Sequence, residues 1–530
     1  MPHFFHLSKN EISCWLWTFS ALCLCFSPLL FHFTWGNHDW LPLIYDSNLK
    51  SGLIEGRFSQ YILSNLFLAG KILPILNITL GFLLYTLALI LLCTHFFKFT
   101  PTDLEDKLFL ITIATLPFIN EILYFHFITF SLLSWSLFIT FSLIAAKNTQ
   151  TNHYLAHILL SAFLLFIAAG GYPASITMYA VAACLYAANA LTTTSHIKDL
   201  IRKLSPFVIS FILALLPLPC IYNWLKTQNL MISLYNSQTE TTLNLFFKIP
   251  ETLTSSLQSL LQTQPFFPLS FKMLTTLIIF SFCGLLAINY RKKRKLFLFI
   301  ILIPTLLLTL KLPLWLSYQE ANNYFTINDP TAFMVRGDFY SLPTLLLFCL
   351  FYIKKHTTIW IRNIFLLITG TLLWLNITLN LSYSKTLILG FKAEDLLQQR
   401  ITDRIQSHPN YTPNTIYNII QAGEISLRPR YYTTSPTEKY GYYTLKTPFG
   451  RYWTASEHYN FYASQDFAAN QVPINLNEIT SELITFITNP QTLWPSTSAI
   501  YLDNKYCIFS LTPEGKNILS QQLTTLNEQN

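Results

Sequence analysis

About eleven apolar stretches, several close to the length of a bilayer-spanning helix, constrain this chain more than any other feature. A hydrocarbon core about 30 Å thick needs roughly 20 helical residues. Stretches of that kind run over Cys14–Thr34, Leu73–Phe96, Leu108–Phe125, Phe127–Ala146, Leu155–Ala169, Ala174–Leu191, Pro206–Leu225, Met273–Tyr290, Leu296–Leu312, Phe339–Ile353 and Ile359–Leu381. Only 11% of the 530 residues are charged, against roughly 25% in a soluble domain. So few charges cannot cover a water-facing surface, and 52% hydrophobic residues exclude disorder. The expectation is an all-α polytopic protein embedded in a lipid bilayer.

A net charge of +8 does not make the chain a nucleic-acid binder. Its densest basic run, Arg291-Lys292-Lys293-Arg294-Lys295, sits between two apolar stretches, where it sets membrane topology. Eight of the nine cysteines fall in apolar segments without metal-ligand spacing, and Cys507 stands apart, so no disulfide framework is expected. The first apolar run is about 20 residues long and lacks a small-residue cleavage site, which reads as a span and not a cleaved leader. With the N-terminus cytoplasmic, about fifteen Lys and Arg fall on inner loops against about eight outside. An odd span count then places the C-terminus outside.

Residues 1–381 are therefore expected to form a multi-span domain and residues 382–530 a small α+β extracytoplasmic domain. In the latter, Lys392–Gln406 has the spacing of an amphipathic helix, and Ala499–Asp503 with Tyr506–Leu511 reads as a hairpin. A further amphipathic stretch, Leu243–Gln264, is expected to lie flat on the outer leaflet.

Chemistry is expected in the first outer loop, Trp35–Lys71. It gathers the acids Asp39 and Asp46, the bases Lys50 and Arg57, and the aromatics Trp35, Trp40 and Tyr45. A carboxylate there can deprotonate a sugar hydroxyl, and a guanidinium can hold a phosphate in bidentate fashion. The alternative is a solvated loop with interfacial anchors. No Gly-rich phosphate loop, Walker pattern or dinucleotide fingerprint is present, which argues against a soluble nucleotide-sugar site.

His38-Asp39-Trp40 followed by Glu55-Gly56-Arg57 and an apolar helix resembles the outer loop of the Gtr-type (type II) O-antigen glucosyltransferases. Leu116-Pro117-Phe118-Ile119-Asn120-Glu121 is similar to that family's Pro-Phe-x-x-Glu-Asn segment, and Gly171-Tyr172-Pro173 to its Tyr-containing turn. Asn380-Leu-Ser-Tyr383 onward resembles the helix that leaves its last span. The order of these motifs carries the resemblance. It implies a GT-C architecture in a bacterial inner membrane, moving a hexose, glucose by family, from a polyprenyl-phosphate carrier to a lipopolysaccharide, O-antigen or other glycan acceptor. Asp39 becomes the general base, Glu121 a second acid, and Arg57 the donor-phosphate ligand. His38 stands where the family has an acid, and Glu121 is followed by Ile122.

Arg336, ahead of the tenth span, is either a phosphate contact or a helix-end anchor. Asp39, Asp46, His38 and Glu121 form a set able to hold a divalent cation, and their separation in sequence leaves metal dependence open. Two rivals stand beside this reading: an O-antigen polymerase or ligase, and a lipid-linked glycan flippase. A transporter should show mid-span charges and paired halves, and neither is apparent.

Overall fold

The computed structural model describes residues 7–32, 53, 57–68, 73–97, 99, 101–117, 119, 123, 131–151, 155–172, 175–193, 197–230, 269–289, 331–422, 467–470, 480–510, 513, 516–517 and 519–521. The Leu243–Gln264 stretch, the Arg291–Lys295 run and the Leu296–Leu312 span lie outside the described residues. By contacts the chain divides into two units, Met1–Phe31 with Asn48–Ser384 and His32–Ser47 with Lys385–Asn530.

The first unit is helical. Its described helices are α1 Lys9–Cys25, α2 Ser27–Phe31, α3 Phe58–Leu68, α4 Pro74–Leu91, α5 Leu104–Ala114, α6 Ser131–Thr151, α7 Leu155–Gly171, α8 Ile176–Thr193, α9 Ile197–Leu215, α10 Leu218–Thr227, α11 Leu269–Asn289, α12 Thr331–His356 and α13 Ile359–Gln406, the last continuing into the second unit. Local signals set their starts. Ser8 and Glu11 form a reciprocal capping box on α1, Asp103 and Asp106 form another on α5, and Pro74 opens α4. Inside the apolar helices, Thr18, Thr86, Thr140 and Thr149 donate to the carbonyl one turn back, so their hydroxyls are satisfied without water. Helix α6 is central, packing against α4, α7, α8 and α9.

Three described helical segments are long and apolar enough to cross a membrane: Ile75–Phe96, Ile201–Thr227 and Ile359–Ser382. Shorter apolar helices run over Leu155–Gly171, Ile176–Ala187 and Met273–Leu285. Large apolar side chains such as Phe163, Phe280, Leu367 and Trp374 face outward. In water that surface would be strongly unfavourable, at about 25 cal/mol per Å², whereas acyl chains match it.

Several elements differ from the sequence expectation: α5 ends at Ala114, inside the expected span Leu108–Phe125, and the expected span Cys14–Thr34 is broken between α1 and α2. The amphipathic stretch Lys392–Gln406 is not a separate helix, because α13 runs unbroken for 48 residues from Ile359. A glycine at 390 weakens a helix by about 1 kcal/mol and does not end it, and no proline intervenes. Helix α12 begins at Thr331, eight residues ahead of the expected span, so Val335-Arg-Gly-Asp338 is helical.

The second unit holds a four-stranded sheet in the order β2-β1-β4-β3, made of β1 Thr415–Ala422, β2 Phe467–Asn470, β3 Ile500–Leu502 and β4 Tyr506–Ser510. Strand β1 is parallel to both β2 and β4. The expected hairpin is β3–β4, with Leu502 opposite Cys507, and its turn is set by the Asp503 carboxylate accepting from the backbone N–H of Lys505 and Tyr506. Helix α14, Ser481–Thr488, packs Leu483, Phe486 and Ile487 against Tyr506, Ile508 and Leu519. At the end of α13, Ile401 and Ile405 are buried and Leu396 is exposed, while Arg404 donates to the carbonyls of Pro495 and Ser496 and lies over Trp494.

Candidate functional site

Two segments far apart in sequence meet where α3 begins and α7 ends. Helix α7 finishes in Ala168-Ala169-Gly170-Gly171, and the two glycines are there for space. A Cβ at Gly170 would collide with the ring of Phe58, and one at Gly171 with the ring of Phe138. Small residues thus let the start of α3 and the middle of α6 close onto the same turn. Backbone and side chain then fix the exit: Tyr172 N–H donates to the Ala168 carbonyl at 2.9 Å, as does Ser175 Oγ at 3.1 Å, and Ser175 N–H donates to the Tyr172 carbonyl.

The Tyr172 ring that results is nearly buried and carries two partners. Trp135 stacks on it with ring centroids 4.3 Å apart and planes inclined by 30°. The Arg57 guanidinium lies over it, 5.1 Å from the centroid. Arg57 immediately precedes α3, and its carbonyl accepts the first helical bond, from Tyr61 N–H. A cation at the N-terminus of a helix is held against the helix dipole, an unfavourable placement worth about 0.3–1 kcal/mol. An anion seated there meets the guanidinium and the first-turn N–H groups together. The arrangement suits phosphate, and the buried Tyr172 and Trp135 rings hold the guanidinium in place.

Among the residues expected from sequence, the structure brings Arg57 together with Tyr172. His38, Asp39, Asp46 and Glu121 lie outside the described residues. Arg336 belongs to the second turn of α12 and not to a loop. Among the described residues no group of three His, Cys, Asp or Glu is placed to hold a metal ion.

Trp135 is the site residue that sequence reasoning missed. A tryptophan inside an apolar helix carries no mark of its own, and only the Gly170-Gly171 pair hints that another element comes close. Asn77 was missed as well. It lies one turn into α4, fully buried, and among the described residues neither side-chain amide atom has a hydrogen-bond partner.

The other end of the first unit is ionic. Lys354, in the last turn of α12, reaches Asp103 at 2.6 Å and Asp106 at 2.5 Å, and Arg362 of α13 holds Glu105 at 2.5 Å. Burial pushes the Asp106 carboxyl up despite Lys354 beside it. Burial also opposes ionisation of Asp103, but the Lys354 ammonium and the Asp106 N–H hold that carboxyl below its usual range. Burial lowers Lys354, and its two aspartate partners more than reverse that, leaving the ammonium raised. These acids ligate cations of the chain and tie α5, α12 and α13 together.

No curated protein and no solved structure matches the chain. A family profile does: that described as glucosyl transferase GtrII matches residues 27–342, more than half of the sequence. That span contains Arg57, Trp135 and Tyr172, so the site described above lies inside it. The chain belongs to the GtrII glucosyl transferase family and is a glycosyltransferase.

Proposed function

We propose that the protein transfers glucose from a polyprenyl-phosphate carrier to a lipopolysaccharide, O-antigen or similar surface glycan at the outer face of a bacterial inner membrane. Residues 1–381 supply the multi-span transferase domain, and residues 382–530 form an extracytoplasmic domain. The observation that carries this reading is the Arg57–Tyr172–Trp135 stack at the start of α3. It sets a guanidinium, steadied by buried aromatic rings, at a helix N-terminus, which is what holding a sugar-bearing lipid phosphate requires. The absence of any nucleotide-binding motif from the sequence agrees with a lipid-linked donor.

In this reading Asp39 takes the proton from the acceptor hydroxyl as that oxygen attacks the anomeric carbon. Arg57 neutralises charge that develops on the departing phosphate. Glu121 orients the sugar or the acceptor, His38 and Asp46 line the same loop, and Arg336 offers a second cation to the phosphate. A divalent cation on the acidic loop is compatible with this scheme and not required by it.

The test is transfer of labelled glucose from glucosyl polyprenyl phosphate in membranes, comparing the wild-type protein with Asp39→Asn. Loss of the base is expected to lower kcat by about a hundredfold or more. Undiminished transfer by the variant would remove Asp39 from the role of base. Transfer from no lipid-linked donor would overturn the donor class.

A further inference from the structure

Helix α5 ends at Ala114, three residues before Pro117. Proline has no N–H, so the Ile113 carbonyl has no donor one turn on and takes Leu116 N–H instead, at 3.3 Å. That diversion strips the Thr112 carbonyl of its backbone donor. Ile119 N–H likewise turns to the Leu116 carbonyl at 3.4 Å and so does not serve the Thr115 carbonyl one turn before it. The break thus takes the regular helical donor from two carbonyls inside an apolar bundle, where water does not replace it.

Both accept from α13, the Thr112 carbonyl in addition to the Thr115 hydroxyl, which donates to it at 3.2 Å. Asn376 Nδ2 donates to the Thr112 carbonyl at 2.8 Å, and Asn380 Nδ2 to the Thr115 carbonyl at 2.8 Å. Four residues apart, the two amides sit on one face of α13, a turn from each other, and both are fully buried. Weaker contacts surround them: Asn376 Nδ2 lies 3.4 Å from Thr115 Oγ1, and Asn380 Nδ2 lies 3.3 Å from Cys25 Sγ on α1. Among the described residues Asn376 Oδ1 has no hydrogen-bond partner, and the donor end of that amide makes its bonds. Packing alone would be served better by leucine. A buried amide is costly unless its bonds are needed. Both residues also lie beyond the stretch that matches the family.

We propose that Asn376 and Asn380 are positioning residues for sugar transfer. They lock the backbone at Thr112–Pro117, and that backbone leads directly into the segment carrying Glu121. They touch no substrate; their effect reaches the reaction through Glu121. The inference rests on the role given to Glu121 in the proposed function.

The experiment measures donor KM and kcat of the full-length protein in membranes, for Asn376→Leu and Asn380→Leu, alone and combined with Glu121→Gln. Expected is a kcat about tenfold lower with donor KM unchanged, and no further loss when Asn380→Leu is added to Glu121→Gln. If the leucine variants fail to accumulate, Asn380→Ser carries the same test, because its hydroxyl is too short to reach the Thr115 carbonyl. Wild-type kcat in a folded variant overturns the inference. So does a loss that multiplies in full onto that of Glu121→Gln, and this result leaves the role of Glu121 standing. Wild-type transfer by Glu121→Gln alone overturns the role of Glu121 and the inference with it.

Discussion

The Arg57 guanidinium over Tyr172 uses properties that lysine lacks. It is planar, lies over an aromatic face, and offers two parallel N–H groups to a phosphate. Arg57→Lys keeps the charge and loses the fork and the ring contact. Its donor KM is therefore expected to rise about tenfold while kcat changes less, measured as initial rates over a range of lipid donor. An unchanged KM would mean that the charge alone matters, or that the phosphate sits elsewhere. Arg57 was legible in the sequence as a base in a loop that also gathers acids and aromatics, and through the Glu55-Gly56-Arg57 resemblance. Tyr172 was legible through its turn, with Gly171 before it and Pro173 after. Trp135 was not, since its value lies in stacking on Tyr172, and stacking across helices leaves no local pattern. Asn376 was hidden for the same reason: its partner is a carbonyl 264 residues away.

Among the elements, the joints carry more information than the helices themselves. Apolar length placed most of the described helices, and the capping pairs Ser8–Glu11 and Asp103–Asp106 are visible as spacings. What the spacing hides is the second use of Asp103 and Asp106, which also hold Lys354. Lys354→Met leaves the fully buried Asp106 without its cation and is expected to destabilise the bundle by about 3 kcal/mol. The pH dependence follows from the raised Lys354 ammonium. Its contribution is complete below the ordinary lysine value of about 10.4 and is lost as pH climbs through the raised folded value. Thermal unfolding of the detergent-solubilised protein should thus show the wild-type midpoint falling more steeply than that of Lys354→Met above about pH 10.5. Parallel curves would contradict the clamp. The unbroken α13 shows the reverse limit of pattern reading. Hydropathy changes sharply near Ser382, but a change of solvent is not a change of backbone, and the helix continues through it.

For the whole molecule, charge scarcity and outward-facing apolar side chains agree on a bilayer, and the family match adds sugar transfer. In the proposed orientation Lys354 and Arg362 mark the cytoplasmic end of the bundle, while Arg57, Trp135 and Tyr172 sit at the opposite end. Sidedness and donor class are then one claim, because only a lipid-carried sugar reaches an outer site without a soluble nucleotide. Sealed vesicles of both orientations, supplied with labelled glucosyl polyprenyl phosphate and a membrane-impermeant glycan acceptor, test that claim most directly. Labelled acceptor is expected in right-side-out vesicles with no nucleotide sugar added. Labelling that requires a nucleotide sugar, or that occurs in inverted vesicles alone, would contradict it.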